Sequence, residues 1–224
     1  MGEIGLLMGY ELFLAQIPAV LNKYPKLFQI ERDGKSILAG EIDVVDRNDK
    51  FWETYNVEIF CSDGFPNRFP NLYEVGGKIP KIADWHIYED TLSCCVKILP
   101  EEILRCIKGI SLEQYVTEVV LPYLFNQTHR KVEGYYVNGE YSHGSLGFYE
   151  YYSQLLKTGN LTQIARLLHG IATILKPDRT SLCFCGSGIK YRYCHRKSYE
   201  KLAPLGTELL IEHAVKFYNI SNKL

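Results

Sequence analysis

A chain of 224 residues, 46% apolar and 23% charged, has material for one full domain and a smaller appendage. Its 25 basic and 26 acidic residues nearly cancel, which gives no reason to expect nucleic acid or an anionic membrane as partner. No apolar run reaches membrane-span length, the N-terminus lacks the basic segment of a signal peptide, and seven cysteines is an odd number for a disulfide framework. A reduced, cytoplasmic protein is expected.

Tyr10, Phe13, Leu14, Ile17, Val20 and Leu21 recur at helical spacing and predict an opening amphipathic helix, kinked at Pro18. Three extended segments follow. Lys26 to Arg32 is closed by the hairpin signal Asp33-Gly34, Ser36 to Val45 by Asp46-Arg47-Asn48-Asp49, and Phe51 to Cys61 by Ser62-Asp63-Gly64. Such short connections predict an antiparallel meander. The proline-rich FPNRFPNLYEVGGKIP predicts a rigid irregular loop with a short strand near Leu72 to Val75. It leads into DWHIYEDTLSCCVK, which carries two adjacent cysteines.

The chain then turns helical. Ser111-Leu112-Glu113-Gln114 is a capping box, and it opens a helix with the stripe Leu112, Tyr115, Val116, Val119, Tyr123 and Leu124 and a kink at Pro122. Gln127 to Gly147 is polar and glycine-rich and reads as a long irregular segment. A helix is predicted over Gly147 to Lys157. Asn160 caps another, striped by Ile164, Leu167, Leu168, Ile171 and Leu175 and stopped by Pro177. A cysteine-rich segment and a last helix with Leu209, Leu210, Ala214 and Phe217 complete the chain.

Cys183, Cys185, Cys194 and His195 offer four soft or borderline ligands around the turn Gly186-Ser187-Gly188. That set suits a closed, structural Zn²⁺ site, and in so short a segment metal binding supplies much of the folding energy. CFCGSGIKYRYCHR resembles the SEC-C zinc motif, a C-terminal appendage that mediates protein contacts in its family. Lys190, Arg192, Arg196 and Lys197 make the segment basic, which reads most simply as a solvated face.

Of the remaining cysteines, Cys61 and Cys106 suit core packing. Cys94 and Cys95 follow an irregular loop, a common place for functional groups. The order of helix, meander, proline loop, His-containing segment, cysteine and helices resembles the ubiquitin-conjugating enzymes. The His-Pro-Asn tripeptide of those enzymes is absent; Asp84-Trp85-His86-Ile87 stands in its place. DWHIYEDTLSCCV and YLFNQTHRKVEGYYVNGEYSHGSLGFYEYY are most similar to the bacterial conjugating-type proteins of antiphage cyclic-oligonucleotide (CBASS) operons.

The resemblance implies an α+β, ubiquitin-conjugating-like domain over residues 1–157, followed by a helical segment with the zinc motif over residues 158–224. It implies acyl transfer. A cysteine thioester would form with the C-terminal glycine of a partner, a cGAS-like nucleotidyltransferase, and the acyl group would pass to a lysine of a target protein. Strand alternation turns Leu92, Cys94 and Val96 to the core and leaves Cys95 exposed, so Cys95 is the expected nucleophile and Cys94 the alternative. His86 is placed to assist the thiol or the oxyanion, with Asp84 and Asp90 as orienting groups. His143, in the distal loop, and the aromatic group Phe148, Tyr149, Tyr151 and Tyr152 suit structural roles. A homodimer stays open, and no membrane or nucleic-acid partner is expected. Two rival readings are a non-catalytic adaptor and a vicinal-dithiol redox switch.

Overall fold

The computed structural model describes residues 3–137 and 139–223, with side chains from Met8 onward. The expectation about a signal segment therefore begins outside the described residues. The chain divides into two compact units, Met1–Glu140 and Tyr141–Leu224. That boundary is earlier than the expected one at residue 157, and it assigns the helix before residue 157 to the C-terminal unit.

In the N-terminal unit, α1 (Glu3–Lys23) continues as helix across Pro18 and buries Phe13, Ile17 and Val20. Strands β1 (Leu27–Arg32), β2 (Lys35–Val45), β3 (Phe51–Phe60) and β4 (Asn71–Glu74) form one antiparallel sheet in that order. The expected meander is what forms. Asp33 and Gly34 both adopt positive φ (51° and 74°), the two-residue turn whose twist matches the strands it joins. On β3, buried Tyr55, Val57 and Ile59 alternate with more exposed neighbours, so one face of the sheet carries the core. Helix α4 (Leu121–Glu133) packs on β2 and β3.

The helical part starts with α2 (Leu99–Cys106) and α3 (Leu112–Tyr115), and α3 packs against α1. Ser111 and Gln114 make both bonds of the capping box. A π-helical stretch, Val116–Val120, then leads into α4 (Leu121–Glu133). Pro122 lacks an N–H and its ring crowds the preceding turn, and the wider stretch just before it, closed by Leu121 N–H to the Val116 carbonyl, accommodates it. All six residues of the expected stripe are buried.

Helix α4 extends through Glu133 and ends at Gly134 (φ 86°), where the sequence suggested irregular chain from Gln127. The polar residues that gave that impression are buried and paired. The Thr128 hydroxyl lies 2.9 Å from that of Tyr55, Gln127 donates to the Trp85 carbonyl, and the His129 ring stacks on Trp52.

The C-terminal unit holds α5 (Gly144–Leu156), α6 (Leu161–Thr173), α7 (Arg196–Leu202) and α8 (Thr207–Ser221). Asn160 caps α6 by accepting from Gln163 N–H at 2.9 Å. Ile164, Leu167, Leu168 and Ile171 are buried, and α6 packs on α8. Leu175, expected in that stripe, is exposed because α6 stops at Thr173, ahead of the restriction that Pro177 places on its predecessor. Tyr151 and Tyr152 are core, and the Tyr152 hydroxyl meets Nδ1 of buried His213 at 2.8 Å.

Candidate functional site

Cys94 and Cys95 lie on the second arm of a short hairpin. Ile87 bridges Cys94, Cys95 N–H donates to the His86 carbonyl at 2.7 Å, and Tyr88 N–H donates to the Ser93 carbonyl at 2.9 Å. Ile87 and Cys94 turn into the core, 1% and 6% exposed, while Cys95 is half-buried. Leu92 departs from the expected alternation. It sits in the turn with φ 60° and is exposed, so it is not on the core face with Cys94.

His86 ends a 3₁₀ turn (Ala83–Trp85) in the left-handed region, φ 52° and ψ 46°, which few non-glycine residues occupy. Its carbonyl also accepts from the Tyr123 hydroxyl at 3.1 Å. Its Nε2 lies 3.0 Å from the Glu140 carboxylate, and its ring meets Tyr136 edge-on at 5.1 Å. Arg130 clamps the same turn. Its guanidinium lies over Trp85 (4.3 Å) and Tyr136 (4.9 Å) and pairs with Asp84. Asp84 thus serves the clamp, and Asp90 shapes the turn by accepting from Thr91 N–H at 2.8 Å.

Burial pushes the Cys94 thiol up to about 11 and raises that of Cys95. A hydrogen bond with the Tyr88 hydroxyl favours the Cys95 thiolate, while the charge of Glu102, paired to Arg68 at 2.6 Å, opposes it. Neither thiol is a preformed thiolate at neutral pH. Burial likewise carries Cys61 and Cys106 to about 11. Cys106 is fully buried as expected of a packing residue, and Cys61 is partly exposed.

The sequence reading missed Tyr88, Glu102, Arg130 and Glu140. Tyr88 alone carried a signal, since hairpin pairing puts its side chain on the same outer face as Cys95. His143 stands exposed at the start of α5 in the C-terminal unit.

In that unit the four expected ligands converge. The Sγ atoms of Cys183, Cys185 and Cys194 and a ring nitrogen of His195 all lie within 4.8 Å of one another. Cys183 Sγ is 3.5 Å and Cys194 Sγ 3.1 Å from His195 Nδ1, and the Sγ atoms of Cys185 and Cys194 are 3.6 Å apart. The first pair sits on a tight hairpin closed by Cys183 N–H to the Ile189 carbonyl (2.8 Å) and by the Leu182–Lys190 bridge. Gly186 and Gly188 turn it at φ 80° and 74°. The second pair follows a 3₁₀ turn, Tyr191–Tyr193.

Residues 179–197 match the SEC-C motif. The match covers this segment and leaves the N-terminal unit unassigned. The comparisons with curated proteins and with solved structures found no match. Motif and cluster together fit a metal-binding SEC-C module, and three thiols with one imidazole suit zinc.

The surroundings of the SEC-C module fit an ion of that kind. Cys183 Sγ accepts backbone N–H bonds from Cys185 and His195, and Cys185 Sγ accepts one from Ser187, the support that metal-bound thiolates use. His195 Nε2 lies 3.3 Å from the Leu156 carbonyl; a proton donated there leaves Nδ1 for the metal. Burial carries Cys183 to about 11. At Cys185 burial is outweighed by hydrogen bonds from Ser187 and the neighbouring thiols, which hold it at about 6. Gly170 lets the module approach α6, since a Cβ there would stand 3.0 Å from the Phe184 ring. A cleft of about 720 Å³ opens between α6, α8 and Phe184-Cys185; its wall includes Arg166 and His169 and, among the described residues, no carboxylate.

Proposed function

We propose that the N-terminal unit is a ubiquitin-conjugating-like acyl-transfer enzyme and that the C-terminal unit carries a structural zinc. The observation that carries this reading is the Cys94–Cys95 hairpin. It follows a helix and a four-stranded antiparallel meander, and it holds one cysteine in the core and its neighbour half-buried beside a hydroxyl. The order of elements supports the same reading.

In this reading Cys95 sulfur attacks the carbonyl carbon of a partner's activated C-terminal glycine, the partner being a cGAS-like nucleotidyltransferase. If the glycine arrives as a thioester, a new C–S bond forms and the incoming one breaks. The departing thiolate takes the Cys95 proton. A lysine amine of the target then attacks the Cys95 thioester, an amide C–N bond forms, and the amine's proton passes to the released thiolate. Tyr88 stabilises the attacking sulfur. The raised Cys95 pKa is compatible with this exchange because the proton has an acceptor in the departing thiolate. His86 contributes its carbonyl to the hairpin, and its side chain supports the turn with Glu140. The zinc ion, when bound, cross-links the SEC-C segment.

The test is incubation with the activated partner followed by a non-reducing gel. An adduct that is sensitive to dithiothreitol, is lost in Cys95→Ala and is retained in Cys94→Ala is the expected result. Loss only in Cys94→Ala moves the nucleophile by one residue. The absence of a preformed thiolate favours one alternative, a non-catalytic adaptor, and that alternative predicts no adduct at all.

A further inference from the structure

The cleft beside α6 and α8 has no part in the Cys95 chemistry, and its volume of about 720 Å³ lies within the range of about 300–1,000 Å³ typical of small-molecule sites. Residues three and four apart divide its α6 wall into two stripes. Thr162, Arg166, His169 and Thr173 form a polar one, and Leu167, Gly170 and Ile174 form an apolar one. Phe184 closes against Gly170, where a Cβ would stand 3.0 Å from its ring, and Val215 and Tyr218 of α8 complete the apolar side.

Arg166 is exposed and makes no ion pair or hydrogen bond among the described residues. The shortage of acid extends beyond the cleft, since residues 141–224 hold 11 basic and 5 acidic residues. A guanidinium without a counter-charge favours an anion, and its planar fork matches the two oxygens of a carboxylate. The apolar side is also uncovered: Ile174, Val215 and Tyr218 are 41%, 52% and 53% exposed. A wholly polar anion such as free phosphate uses the guanidinium and gains nothing from that side. A carboxylate with an apolar body uses both, because its body takes the apolar wall out of water.

We infer that this cleft binds an amphipathic carboxylate of small-molecule size, with its head on Arg166 and its apolar body against Ile174, Phe184, Val215 and Tyr218. Such a site goes beyond the acyl-transfer reading and is independent of it.

The test is fluorescence titration of the zinc-loaded full chain with the anionic aromatic probe 1-anilinonaphthalene-8-sulfonate, followed by displacement with decanoate. The probe binds, decanoate displaces it, and decanol at the same concentration displaces less of it. Arg166→Gln weakens both probe and decanoate about 5-fold, the most that one exposed ion pair contributes, and Arg166→Lys recovers part of the loss. Val215→Trp, a change at an exposed position, fills the cleft and abolishes binding. Each variant is checked for helix content by circular dichroism and for bound zinc, so loss of the fold is not mistaken for loss of the site. No fluorescence change overturns the inference, as does an affinity unchanged in either Arg166→Gln or Val215→Trp. Decanol that displaces the probe as well as decanoate also overturns it and leaves an apolar groove with no anion site.

Discussion

Cys95 N–H donates to the His86 carbonyl at 2.7 Å, which locks the two residues across one hairpin while their side chains answer to different neighbours. The His86 ring is held by Glu140 and Tyr136, and the Cys95 sulfur sits by Tyr88. A backbone hydrogen bond thus joins His86 and Cys95, the two residues expected to act together. The Tyr88 hydroxyl is hydrogen-bonded to the Cys95 sulfur and favours its thiolate.

Thiol reactivity follows from that arrangement. A folded-state pKa raised by burial leaves less thiolate at pH 7 than in a free peptide cysteine, so alkylation of Cys95 is slow there and rises steadily as pH passes 9. Cys94, carried to about 11 in the core, reacts later still. Tyr88→Phe removes the hydroxyl that favours the thiolate and slows Cys95 alkylation several-fold at fixed pH. Residue-resolved mass spectrometry after timed iodoacetamide treatment reads all three; equal rates at Cys94 and Cys95 contradict the burial difference.

Arg130 is the keystone of the turn that presents His86. Arg130→Ala removes two ring contacts and the bonds to Asp84 and Tyr136. Loss of these partly buried interactions costs about 1–3 kcal/mol. Urea denaturation measures it. Arg130→Lys recovers only part, because an ammonium lacks the flat face that lies over both rings.

The buried hydroxyl pair of Tyr55 and Thr128 gives a sharper internal control. Thr128→Val leaves the Tyr55 hydroxyl without its partner and costs about 1–3 kcal/mol, and Tyr55→Phe in the same background recovers part of that loss. A double-mutant cycle by thermal denaturation gives a coupling of opposite sign to the single losses.

Metal removal tests the C-terminal unit. A zinc chelator releases about one ion per chain and unfolds the SEC-C segment, because its short hairpins have little core apart from the Phe184–Tyr191–Tyr199 cluster. Since thiols must lose protons to bind zinc, release becomes easier as pH falls. Cys183→Ser raises the ease of release further. Zinc quantified by a colorimetric chelator, with hydrogen exchange at residues 179–197, checks both.

Much of this was legible in the sequence because local chemistry decided it. The Asp33-Gly34 turn, the Ser111–Gln114 box, the stripe from Leu112 to Leu124 and the four metal ligands each needed only neighbouring residues. The misreadings share a different cause. Gln127, Thr128 and His129 looked like loop because their partners, Trp85, Tyr55 and Trp52, lie far away in sequence. Leu92 looked like strand because nothing nearby announced its left-handed turn. Glu140 beside His86 is again a pairing over a long sequence separation.

The most direct test of the acyl-transfer reading is intact-mass measurement after mixing the chain with a synthetic peptide ending in a glycine thioester. The account predicts a single adduct equal to the peptide acyl group, mapped to Cys95, present in Cys94→Ser, reduced in Tyr88→Phe and cleaved by hydroxylamine. No adduct, or acylation spread evenly over Cys95 and the part-exposed Cys61, would contradict it.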